Sequence, residues 1–74
     1  MTTNQLQEFV HAAPFRPFVI RMADGREYVV PHPDFIAHRP GGRVAVVMRD
    51  DDVGVYLDLL LMTSIEHRQA VPSA

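Results

Sequence analysis

Proline and glycine punctuation constrains this chain more than any other feature. Six prolines and four glycines fall within 74 residues. Proline removes a backbone donor and clashes inside a helix, and in sheets it is confined to edges, while glycine marks turns. Between Pro14 and Gly54 the breakers stand too close together for any long helix. What remains is a short N-terminal helix followed by short strands joined by tight turns. The length allows one domain with a thin core, because small domains bury a smaller share of their surface.

The helix is expected over about residues 3–12. Leu6, Phe9, Val10 and Ala13 follow the i, i+3, i+4, i+7 spacing of one helical face. Thr2 and Gln5 match a capping box, and Pro14 ends the segment. A helix this short is not stable alone and must lie on something apolar.

A hairpin is expected over 18–30, with strands Phe18–Met22 and Arg26–Val30. A loop Ala23-Asp24-Gly25 with Gly25 left-handed pairs Phe18 with Val30 and Ile20 with Tyr28. It sets Val19 against Val29 and Arg21 against Glu27 on the other face. In residues 31–42, Pro31, Pro33 and Pro40 forbid a long central strand, so Phe35 and Ile36 read as inward anchors and Asp34 as a turn cap. A second hairpin is expected over 43–58. A four-residue loop, Arg49-Asp50-Asp51-Asp52, pairs Met48 with Val53, Val46 with Val55 and Val44 with Leu57 on an apolar face. Residues 59–61 then form an apolar turn or bulge, a last short strand spans about 63–67 with Ile65 inward, and 69–74 fray. The expected fold is mainly β within the α+β class. An N-terminal helix precedes about five antiparallel strands in a small bent sheet or Sm/SH3-like barrel.

Chemistry has little to stand on in this sequence. Cysteine is absent, which excludes disulfides, thiolate metal sites and cysteine nucleophiles. There is no nucleophile elbow around Ser64, no glycine-rich phosphate loop and no His-Glu-x-x-His, so no catalytic residue is assigned and no enzyme is expected. His32-Pro33-Asp34 spells the tripeptide of J-domain co-chaperones, but the residues before it read as a hairpin rather than a basic helix. Asp50-Asp51-Asp52 would open a calcium loop only if an acid stood at position 61, which is Leu61. His11, His32, His38 and His67 lack ligand spacing, and no metal or cofactor is assigned. No signal peptide or membrane-length apolar run is present, so the expected location is cytoplasmic, with no membrane partner. All seven basic residues are arginine, they are outnumbered by nine carboxylates, and the net charge is -2, so no whole-molecule basic field exists for nucleic acid.

The pattern Pro14-Phe15-Arg16-Pro17-Phe18, Asp24-Gly25-Arg26, His32-Pro33-Asp34-Phe35, Pro40-Gly41-Gly42-Arg43 and Asp58-Leu59-Leu60-Leu61 resembles a family of small bacterial proteins of unassigned function. At the level of topology the element order is similar to the Sm-like fold of the Hfq-type ring proteins. That resemblance implies ring assembly and RNA binding through a uridine pocket. The pocket's Tyr-Lys-His run is replaced here by Leu59-Leu60-Leu61-Met62, and lysine is absent altogether.

Two functions follow as expectations. The first is a non-catalytic interaction module that forms a homo-oligomer or meets an unidentified protein partner, with Val47, Tyr56, Leu59 and Leu61 at the interface. Its basis is an apolar surplus that one small core cannot absorb. The second is an Sm-like RNA-binding protein that uses Arg39, Arg43, Arg49 and Tyr56 as a patch repeated around a ring.

Overall fold

Helix α1 (Thr3–Val10) starts where the capping box places it. Thr2 Oγ1 accepts the Gln5 N–H at 3.2 Å, and Gln5 Oε1 accepts the Thr2 N–H at 3.0 Å. The helix ends at Val10 with His11 as its cap, a little before the expected Ala12. Leu6 and Val10 are its buried residues. The computed structural model describes residues 2–68. The expected fraying of 69–74 lies outside them.

After α1 come strands β1 (Phe18–Met22) and β2 (Glu27–Val30), a 3-10 turn at Pro33–Phe35, and strands β3 (Ile36–His38), β4 (Val44–Met48) and β5 (Gly54–Asp58). A second 3-10 turn at Leu59–Leu61 leads into β6 (Met62–His67). The strands form two three-stranded antiparallel sheets, ordered β2-β1-β6 and β3-β4-β5. The chain is therefore a small, mostly strand α+β fold with one N-terminal helix. Among the described residues there are six strands rather than about five, because residues 36–38 add a short strand after their anchor.

The first hairpin has the expected register: Phe18↔Val30, Val19↔Val29, Ile20↔Tyr28 and Arg21↔Glu27. Gly25 has φ 89°, the left-handed geometry that its missing Cβ permits. Strand β6 lies on the other side of β1, with Ile20↔Ile65 and Met22↔Met62. Arg21 consequently sits between Glu27 and Glu66 and pairs with both.

Pro31 and Pro33 separate the two sheets. The intervening 3-10 turn is capped by His32, whose Nδ1 accepts the Asp34 N–H at 3.2 Å. The cap is thus the histidine ring and not the expected Asp34, because His32 is the residue in extended geometry just ahead of the turn. Ile36 is buried, and Phe35 packs partly against the core.

The second hairpin departs from expectation by one residue. Arg49 N–H donates to the Val53 carbonyl at 2.9 Å, so the loop is Asp50-Asp51-Asp52, with Asp52 left-handed at φ 66°. The register becomes Ala45↔Leu57, Val46↔Tyr56, Val47↔Val55 and Met48↔Gly54. A one-residue change turns the faces of β4 over relative to β5. Ala45, Val47 and Leu57 therefore face inward, and Val44, Val46, Met48 and Tyr56 face outward.

One cluster joins all the layers: Leu6 and Val10 from α1, Phe18, Ile20 and Val30 from one sheet, and Ile36, Ala45, Val47 and Leu57 from the other. Leu6, Phe18, Ile20, Val30 and Val47 are the largest fully buried side chains. Burial of each such side chain stabilises by about 1.5–3 kcal/mol. Phe9 meets Phe18 edge-on at 5.4 Å, and Thr3 Oγ1 donates to the Gly42 carbonyl at 2.7 Å, so α1 touches both sheets.

Candidate interaction surface

The outward face of the β3-β4-β5 sheet is built by strand alternation. Ala37, Val46 and Tyr56 form a row across its three strands. Val44 and Met48 flank the row along β4. Tyr56 is 76% exposed, and Val44 and Met48 are also exposed. Gly54, opposite Met48, carries no side chain. A Cβ there would meet Met48 Sδ at 3.5 Å and Val46 Cγ1 at 3.7 Å, ordinary contact distances. The glycine therefore leaves a shallow notch two residues from the Tyr56 ring.

An ion pair closes each end of this face. At one end Arg43 Nη2 lies 2.9 Å from Asp58 Oδ2, while Asp58 Oδ1 accepts the Leu60 N–H at 2.9 Å. The Leu60 backbone bond, and then the Arg43 guanidinium, hold the Asp58 carboxyl below its ordinary range. At the other end Arg49 Nη2 lies 2.9 Å from Asp51 Oδ2. The outward face of β2-β1-β6 is different in kind, because the Arg21, Glu27 and Glu66 group crosses it.

The four expected interface residues do not come together. Val47 is 1% exposed and Leu59 is 3% exposed, so both belong to the core and are withdrawn from the surface. Val47 turns inward through the register change. Leu59 turns inward because the second 3-10 turn folds it under the sheets and leaves Leu60 and Leu61 outside. Leu61 is exposed, but its carbonyl accepts the Ala23 N–H at 2.8 Å, which places it beside the first hairpin loop. Tyr56 alone of the four stands on the open sheet face. Val44, Val46 and Met48 were missed. The signal for them was an aspartate able to hold left-handed geometry at position 52.

Two of the arginines in the nucleic-acid set are matched by carboxylates, Arg43 by Asp58 and Arg49 by Asp51. Arg39 is exposed, and its carbonyl accepts the Gly42 N–H at 3.0 Å to close the β3–β4 turn. An open groove between β2 and the second loop includes Arg26, Arg49 and Arg68 beside Tyr28. A hydrogen bond that the Arg26 guanidinium donates to Tyr28, and then the charge of Asp24, raise the Arg26 pKa further above its already high value. Glu27, Asp50 and Asp51 share the groove and balance its charge. Among the described residues, no group of three or more His, Cys, Asp or Glu is placed to hold a metal ion. No helix among them is long and apolar enough to cross a membrane.

No protein family, curated protein or solved structure matches the chain.

Proposed function

We propose that this chain is a non-catalytic interaction module that self-associates through the outward face of β3-β4-β5. The observation that carries this reading is Tyr56, 76% exposed on the edge strand of an apolar face whose opposite side already fills the core. A large exposed aromatic among aliphatic neighbours is the composition of an interface centre. Two features favour a second copy as the occupant. The Tyr56 ring and the Gly54 notch lie on one face, so a two-fold axis can seat each ring over the other copy's glycine. Each end of the face also carries both signs, Arg43 with Asp58 and Arg49 with Asp51, so two-fold docking sets arginine against aspartate.

The test is sedimentation velocity across a wide concentration range for the wild type and Tyr56→Asp. The wild type is expected to move from monomer to dimer or a larger closed assembly. Tyr56→Asp is expected to stay monomeric and to melt where the dilute, monomeric wild type melts, because its side chain is 76% exposed and contributes nothing to the core. A wild type that is monomeric at hundreds of micromolar overturns self-association, and so does a Tyr56→Asp variant that assembles normally.

A further inference from the structure

The sheet face just described leaves unused a second cluster at the other side of the second sheet. His38, the last residue of β3, shares the inward parity of Ile36 and lies opposite Ala45 of β4. Its ring faces that of His11, the C-cap of α1, with centroids 6.0 Å apart and planes tilted by 58°. His38 Nδ1 is shielded from solvent and has no hydrogen-bond partner among the described residues.

This geometry suits only one form of the ring. A neutral imidazole with its proton on Nε2 leaves a bare Nδ1, whose lost hydrogen bond is a modest cost. A protonated imidazole carries N–H on both nitrogens, so a charged donor would be placed where no acceptor waits. The surroundings offer no compensation. Ala45 on β4 is apolar, the chain neighbour Arg39 is cationic, and Arg43 beyond the turn is committed to Asp58. On α1 the acid nearest His11 in sequence is Glu8, which is exposed. Burial lowers the His38 pKa below the ordinary 6.5, and the charge of His11 lowers it further.

We propose that His38, facing His11, is a pH-sensitive latch that holds the C-terminal end of α1 on the second sheet when neutral and releases it when protonated. The direction follows from linkage. A histidine whose pKa is depressed by folding binds fewer protons in the native state, so stability is full above the unfolded value near 6.5 and falls as the pH drops below it. The loss concentrates in α1, because the helix is the element that can leave without breaking a sheet ladder. Its departure would uncover Leu6 and Val10.

The experiment is amide hydrogen exchange on the full chain at pH 7.5 and pH 5.0, corrected for intrinsic rate, with wild type, His11→Gln and His38→Leu. In the wild type, exchange in α1 is expected to speed severalfold at pH 5.0 while β1 stays protected. His38→Leu is expected to abolish that difference, and His11→Gln to shrink it. Equal α1 protection at both pH values, or the same acid loss in His38→Leu, overturns the latch. Should His38→Leu fail to fold, proton NMR titration of the wild type decides instead. His38 must titrate below the ordinary 6.5, and its midpoint must rise in His11→Gln; a midpoint at the ordinary value overturns the proposal.

Discussion

The two hairpins share a turn and differ in what they do with it. In the first, Met22 N–H donates to the Arg26 carbonyl at 2.8 Å and Asp24 Oδ1 accepts the Arg26 N–H at 3.0 Å. In the second, Arg49 N–H donates to the Val53 carbonyl at 2.9 Å and Asp51 Oδ1 accepts the Val53 N–H at 3.2 Å. Each loop has three residues, an aspartate in the middle and a left-handed residue at the end. That last residue is Gly25 in one loop and Asp52 in the other. The outward faces also diverge. Arg21, Glu27 and Glu66 cross the first beside Val19 and Val29, while the second carries Val44, Val46, Met48 and Tyr56 with no charged residue between its two ends. A turn fixes which side chains share a face, but it does not decide what that face is for. The first hairpin presents a solvated surface on a frame that the second uses to present an apolar one.

The largest expected effect tests the register of the second hairpin. Val47→Asp places an unpaired charge in the core, at a cost of several kcal/mol, and thermal circular dichroism should show an unfolded chain. Val44→Asp, three residues away on the opposite face, should melt within a few degrees of the wild type. Two folded variants would refute the assigned faces.

The loop residues come next. Gly25→Ala forces a Cβ into left-handed geometry and should cost about 1–2 kcal/mol; no atom lies within 4 Å of that Cβ, so the cost is conformational. Asp52→Gly relieves the matching strain in the second loop and should stabilise by up to about 1 kcal/mol. Chemical denaturation of both variants checks the pair. Opposite signs are expected, and equal signs would break the analogy between the loops.

The smallest effect concerns the charged face. Arg21→Ala removes contacts to two exposed glutamates and should cost under about 1 kcal/mol, fading in high salt. Measured at low and high salt, a large and salt-insensitive loss would show that the first face is more than a solvated surface.

What could be read from the sequence divides along the same line. The capping box at Thr2 and Gln5, the first hairpin register and the proline break at residues 31–33 all rest on local chemistry, in which one residue type has one favoured geometry. The second loop hid its left-handed residue in a run of three aspartates, and a reading that favoured the most apolar pairing moved Val47 to the wrong face. The docking of β6 on β1 is a long-range pairing with no local marker. Leu59 could not be separated from Leu60 and Leu61 by composition, because only the direction of the 3-10 turn distinguishes them. His38 was legible in principle, since it alternates with Ile36 along β3, but a histidine beside a proline-rich loop reads as surface until the strand is known.

The three aspartates at the second loop have a further consequence during folding. Before the sheets form, residues 44–48 and 54–62 are the most apolar stretches of the chain and have high strand propensity. Segments of that kind join one another between chains unless charge interrupts them. Asp50, Asp51 and Asp52 stand between the two stretches, and Asp58 stands within the second. They act as gatekeepers. Mutual repulsion keeps two copies of this hairpin from stacking as extended strands while the folded face keeps its apolar character. The same acidic tip that makes the turn thus sets three like charges between the two stretches most prone to pair as extended strands.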